Sequence, residues 1–239
     1  MSAIAAQPLE RSEVESLVRE VLRQRLAGTI TPPPARDRHR AMPSRLLGAP
    51  NPPVVNVSAR HMHVTQPDLE TLFGPGATLT KHKDLYQEGE FASEQLVTLV
   101  GPRQRIIPGV RILGPVRDYS QVELSYTDGV YLGIELPLRI SGNHDGTPGT
   151  TVLGPNGALH LSRGVIRAQR HVHMGEAELN HFNVRDGDDM KLRIDGPCGL
   201  IFDRVRVRFH PRVILEVHID TDEGNACDIE SATNMELSV

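Results

Sequence analysis

The sequence predicts a mainly β protein. It reads as two small β-barrel domains related by an internal repeat, each with short capping helices, behind an N-terminal amphipathic helix on a Pro-rich linker. Three observations carry this. An apolar stripe at helical spacing runs through residues 10–27. From Val54 onward, short alternating runs are broken by many of the 21 Gly and 18 Pro. One phrase, Arg-His-x-His, occurs at residues 60–63 and again at 170–173.

In the first segment, Val14, Leu17, Val18, Val21, Leu22 and Leu26 fall on one helical face. Ser12 and Glu15 resemble a capping box, and Gly28 suits a C-terminal cap. Glu and Arg interrupt every apolar core a secretory signal would need. Residues 29–53 follow with seven Pro (32, 33, 34, 43, 50, 52 and 53) and the basic patch Arg36, Arg38, His39 and Arg40. Such a segment is expected to stay extended or disordered. An isolated helix of this length is marginal in water, so its stripe is expected to dock on a partner.

The strand candidates are Leu96–Val100, Val110–Leu113, Val130–Leu136, Met190–Ile194, Val205–Phe209 and Val213–Ile219. The helix candidates are Pro67–Phe73 and Glu176–Phe182, one after each His phrase. Leu69 and Leu179 keep the same offset of 110 as the His phrases. Further on the offset is 95: Gly101-Pro102 matches Gly196-Pro197, and Gly129 matches Gly224. One insertion within Gly74–Phe91 accounts for the difference. The expected organisation is a docking helix over 1–28, a linker over 29–53, a first barrel over 54–150 and a second over 151–239.

Composition excludes several functions. The chain has 239 residues, and no apolar stretch approaches the roughly 18–20 residues of a membrane helix. A net charge of -4 argues against a dedicated nucleic-acid binder. Two Cys, Cys198 and Cys227, are too few for a disulfide scaffold and suit a reducing compartment.

His-x-His on a strand places both imidazoles on one face, within reach of one metal. Alone this is a weak signal, but two copies at matched positions strengthen it. The offset of 95 sets Glu123 opposite His218, so each half offers three donors: His61, His63 and Glu123, and His171, His173 and His218. Three protein ligands and an open position characterise catalytic zinc; imidazole with carboxylate also admits Mn, Fe or Co. Arg117 lies six residues before Glu123, where a guanidinium fork suits phosphate, although most arginines simply face solvent. Arg60 and Arg170 flank the His pairs under the same reservation. Asp220, Asp222 and Glu223 read as supporting or solvated acids rather than ligands. No GxSxG, phosphate-loop or dinucleotide glycine pattern occurs.

Residues 54 to about 230 resemble the PduL-type phosphotransacylases, the phosphate propanoyltransferases of bacterial microcompartments. The resemblance rests on Ser58–His63, Leu113–Arg117, Gln121–Glu123, Arg139–Gly142, Arg170–Met174 and His218–Ala226, with Gly224 standing where the pattern expects Ala. It implies two β-barrels with two zinc ions between them, one on His61, His63 and Glu123 and the other on His171, His173 and His218. It also implies coenzyme A with its thiol at the first zinc, phosphate on Arg117, and reversible conversion of acyl-CoA and phosphate to acyl phosphate and CoA. The N-terminal helix is then expected to bind shell proteins of a cytoplasmic microcompartment such as one for propanediol degradation. Self-association is compatible with this reading. The competing expectations are a dinuclear metallohydrolase acting on thioesters and a non-catalytic metal- or shell-binding module.

Overall fold

The computed structural model describes residues 51–239. The helix expected over 10–27 and most of the linker lie outside the described residues. The strands are β1 (Val54–Ser58), β2 (His61–His63), β3 (Lys81–Asp84), β4 (Phe91–Val100), β5 (Ile106–Gly114), β6 (Gln121–Glu123), β7 (Leu138–Arg139) and β8 (Thr150–Leu153). They continue with β9 (Ala158–Leu161), β10 (Val165–Ala168), β11 (His171–Met174), β12 (Asp189–Asp195), β13 (Leu200–Phe209), β14 (Glu216–Asp220) and β15 (Asn234–Ser238). The helices are α1 (Gln66–Phe73), α2 (Tyr126–Leu132), α3 (Glu176–Phe182) and α4 (Thr221–Ala226).

These strands form two curled sheets. The first has the order β7-β10-β6-β2-β5-β4-β8-β9, with β3 also paired to β4; the second has the order β1-β14-β11-β13-β12-β15. Period-two patterning drives each core. In β12, Met190, Leu192 and Ile194 are buried while Asp189, Lys191 and Arg193 are exposed. Met62 and Val122 point into the first core, and Val172 and Val217 into the second, all fully buried. Each such side chain contributes roughly 1.5–3 kcal/mol on burial. Because side chains alternate, the residues flanking these four are thrown onto the opposite face of their strands.

The sheets exchange strands. β1 runs parallel to β14 in the second sheet, with Asn56 opposite His218. β10 runs parallel to β6 in the first, with Ile166 opposite Glu123. Two residues separate β1 from β2, and two separate β10 from β11. Each His-x-His strand is therefore delivered by a strand belonging to the other sheet. Sheet membership accordingly does not follow the chain division expected at 150/151: β8, β9 and β10 lie in the first sheet.

One local expectation is corrected, and one helix was not anticipated. Residues 130–136 do not form a strand; 126–132 are α2. Ser125 and Asp128 form a capping box, and Gly133, at φ 82°, ends the helix in the left-handed region. The segment after His218 contains a helix that the apolar pattern did not suggest. Asp220 and Glu223 cap α4 in the same manner. The expected helices α1 and α3 are present, α1 starting one residue earlier at Gln66.

Candidate metal and active site

Each His-x-His strand has an antiparallel neighbour that supplies the third donor. His61 lies opposite Glu123, and His63 opposite Gln121. In the second sheet His171 lies opposite His218, and His173 opposite Glu216. Each strand pair thus presents four side chains on one face, of which three are the donors expected from sequence. In each trio the ligand atoms all lie within 4.8 Å of one another.

The ring orientations are fixed locally. His61 Nδ1 lies 2.8 Å from the Ala59 carbonyl, and His171 Nδ1 2.8 Å from the Gln169 carbonyl. Donation of Nδ1–H to a backbone oxygen leaves Nε2 with its lone pair, which is how metal-binding imidazoles are oriented. That free Nε2 of His61 sits 3.5 Å from Glu123 Oε2, and Nε2 of His171 sits 3.2 Å from Nε2 of His173.

The electrostatics keep three of the imidazoles, His63, His171 and His173, neutral. Burial, then His61 and the Arg117 guanidinium, push the His63 pKa down to about 2. Burial, His218 and Arg208 push His173 down to about 3. Burial and the two neighbouring imidazoles hold His171 well below its usual value. Opposite His173, burial works to raise the Glu216 pKa, but contacts from His218, Gln87 and Asn56 outweigh it and the net shift is downward.

The residues present suit a metal. His63 Nδ1 and His218 Nε2, one from each trio, are buried polar atoms with no hydrogen-bond partner. Glu216 Oε2 lies 3.1 Å from His218 Nε2, but not in hydrogen-bonding alignment. Unpartnered buried polar atoms are costly, and a cation bound by each trio would offset that cost. The donor sets, two imidazoles with a carboxylate and three imidazoles, match zinc chemistry.

The two trios are tied together by the exchanged strands. Asn56 neighbours His218, and the chain reaches His61 five residues later. Chain geometry therefore keeps the Cα atoms of His218 and His61 within about 23 Å of each other. Acids and arginines brace this arrangement: Arg60 pairs with Asp128 at 3.0 Å, Arg170 with Glu223 at 2.8 Å, and Arg167 with Asp220 at 2.8 Å. Arg60 and Arg170 are thus ion-paired to helix caps, and Asp220 and Glu223 act as cap and ion-pair acids. Asp222 accepts from Thr127 of α2, through the backbone N–H at 2.8 Å and the hydroxyl at 2.6 Å.

Arg117 is half-buried beside the first trio. Its guanidinium donates to Tyr119 Oη at 3.3 Å and to Glu90 Oε1 at 3.2 Å. Glu90 belongs to the segment read as an insertion in the first half. From the same segment, Gln87 donates to the Ile214 carbonyl at 3.0 Å and to Glu216 Oε2 at 2.5 Å. Sequence reasoning missed Gln87, Glu90, Gln121 and Glu216. Strand periodicity carried a signal for the last two, which stand two residues before Glu123 and His218. A cavity of about 520 Å³ lined by Pro102, Ile134, Glu135 and Thr147 among others includes none of the six donors.

Fold and site together define a two-sheet β protein that carries a preorganised imidazole-rich trio on each sheet, with a guanidinium beside one of them. A sequence profile described as phosphate propanoyltransferase matches residues 54–230. Among known proteins, the chain is 50% identical over 236 residues to a phosphate propanoyltransferase of Planctopirus limnophila, covering 98% of this chain and 94% of the relative. It is 48% identical over 175 residues to one from Lachnoclostridium phytofermentans, covering 73% and 82%, and 48% identical over 174 residues to one from Thermotoga maritima, covering 72% and 82%. The chain belongs to the phosphate propanoyltransferase family, and it is an acyl-transferring enzyme.

Proposed function

We propose that this enzyme reversibly converts propanoyl-CoA and inorganic phosphate to propanoyl phosphate and CoA at a dinuclear zinc site. One ion would be held by His61, His63 and Glu123, the other by His171, His173 and His218. The observation that carries the metal reading is the pair of buried, unpartnered imidazole nitrogens, one in each trio. Family membership supports the reaction.

In the reaction a phosphate oxygen bonds to the acyl carbon, the carbon–sulfur bond breaks, and the phosphate proton passes to the departing thiolate. Zinc held by the two trios would supply Lewis acidity for the carbonyl and would ease departure of the sulfur before it takes up the proton. The protein's own contributions are positional. Arg117 donates a two-pronged fork to phosphate, neutralising and orienting the nucleophile. For that the guanidinium has to leave Glu90, which holds it in the structure. His63, His171 and His173, held neutral, keep their lone pairs at working pH. No side-chain nucleophile is invoked, so transfer is direct within a ternary complex. Isotope exchange between acyl-CoA and CoA without phosphate would contradict this step.

The docking role of residues 1–28, the tether over 29–53 and the location inside a microcompartment belong to the same proposal. The apolar stripe supports the first, and the similarity to the Planctopirus limnophila protein extends into this segment. Deleting residues 1–27 should leave turnover intact and abolish co-localisation with shell proteins. No helix among the described residues is long and apolar enough to cross a membrane. The barrel halves over 54–150 and 151–239 are proposed to descend from one duplicated unit. The matched four-residue faces and the reciprocal strand exchange support that descent.

Product analysis tests the activity. Propanoyl-CoA with phosphate should yield propanoyl phosphate and CoA in equal amounts. Free propanoate, formed at the same rate without phosphate, would make the enzyme a thioester hydrolase instead. Acetyl-CoA should be a poorer substrate by a factor of roughly 10–200, the value of one methylene in an apolar pocket.

A further inference from the structure

We propose that Gln121 is a positioning residue for Glu123, and that the segment Ser141–His144 serves to hold its carboxamide. The inference rests on the metal reading above and extends it to a residue outside both donor trios.

Gln121 is fully buried on the same strand face as Glu123 and directly opposite His63. Its Nε2 donates to Glu123 Oε1 at 2.6 Å and to Ser141 Oγ at 2.8 Å. Its Oε1 accepts from the Gly142 N–H at 2.8 Å and lies 2.9 Å from His144 Nε2. A carboxamide has two N–H donors and two oxygen lone pairs, and here all four are used. The backbone N–H of Gly142 can only donate, so it fixes which end of the amide is oxygen. The other end must then donate to Glu123.

This settles a question that Glu123 leaves open on its own. The terminal torsion of a glutamate side chain is broad, so either carboxylate oxygen can face a metal. With Oε1 held by Gln121, Oε2 is the oxygen turned toward His61. A network satisfied in every member inside a buried site is rigid, and outer partners of this type matter to metal affinity. The arrangement also explains the Arg139–Gly142 phrase, for which the reaction gives no role. Gly142 has φ +94°, a conformation in which other residues are strained, and this turn aims its N–H at Gln121. The second sheet shows the same corner filled differently. There Glu216 lies opposite His173 beside the donor His218, so each four-residue face contains one carboxylate: a donor in the first sheet, a neighbour of a donor in the second.

The test uses the full chain, stripped of metal and titrated with zinc against a chromophoric chelator. Gln121→Leu keeps the volume and removes all four hydrogen bonds. It should weaken one of the two zinc equivalents by about 10- to 100-fold and leave the other unchanged. Ser141→Ala, one bond further out, should weaken the same equivalent by about 2- to 10-fold; it decides the matter if Gln121→Leu does not fold. Two wild-type equivalents in a folded Gln121→Leu protein would overturn the proposal, as would equal weakening of both, which is the mark of a merely structural role. If the wild-type chain binds no zinc, the metal reading and this inference fall together. A wild-type chain that binds two ions while the variants behave like it removes only the role of Gln121.

Discussion

Gly224 offers a direct test of the strand exchange that places the site. It lies inside α4, six residues after His218. A Cβ at this position would stand 2.7 Å from Val57 Cγ2 and 3.2 Å from Val57 Cγ1. Val57 is on β1, a strand from the start of the described chain that pairs into the second sheet. Replacing Gly by Ala within a helix is worth about 1 kcal/mol of stabilisation. Forcing a methyl into a filled space costs about 1–3 kcal/mol. Gly224→Ala alone should therefore be neutral or destabilise by up to about 2 kcal/mol. In a Val57→Ala background both γ-carbons are gone and only the helix term remains. There Gly224→Ala should stabilise by about 1 kcal/mol. Urea denaturation of the four proteins, with m-values checked for constancy, reads this cycle. A change of the same sign and size in both backgrounds would refute the packing of β1 on α4.

Other expectations follow from the site. Glu90→Ala frees the Arg117 guanidinium from a partly exposed ion pair worth about 0.2–1 kcal/mol. It should lower KM for phosphate by about 1.4- to 5-fold without changing KM for propanoyl-CoA; a raised KM for phosphate would contradict the role given to Arg117. Arg117→Ala should reduce kcat/KM for phosphate by about 10²- to 10³-fold, and Arg117→Lys should restore only part of it, since an ammonium lacks the planar fork. In the metal-free protein, His63, His171 and His173 are held neutral while the unfolded chain takes up protons below about pH 6.5. Stability should thus be flat above pH 6.5 and fall below it, by up to about 1.4 kcal/mol per pH unit for each imidazole. Equal urea midpoints at pH 7.5 and 5.5 would show that the rings are protonated in the fold.

The grouping of the six candidate donors could be read from the chain because strand geometry has period two and the same spacing occurs twice. His61 and His63, or His171 and His173, share a face by alternation alone, and the offset of 95 brings Glu123 and His218 into equivalent places. The same alternation misled at 130–136, where Val130, Leu132, Ile134 and Leu136 mimic a strand. There a capping box at Ser125 and Asp128 and the left-handed Gly133 outweigh the apolar pattern over 126–132. Pairing partners lay beyond reach. Nothing near Val54 announces that β1 joins β14 some 160 residues later, since β pairing is set by the whole sheet. Gln87 reaches Glu216 across 129 residues for the same reason. Gln121 and Glu216 were within reach of strand periodicity, but their importance comes from partners on distant loops.

Zinc content measured alongside turnover is the most direct test of the central claim. The purified full chain should hold two ions and form propanoyl phosphate. His63→Ala and His218→Ala should each hold one ion and lose that activity. A wild-type chain that forms propanoyl phosphate at full rate after complete metal removal, or either variant retaining both ions, would contradict the account.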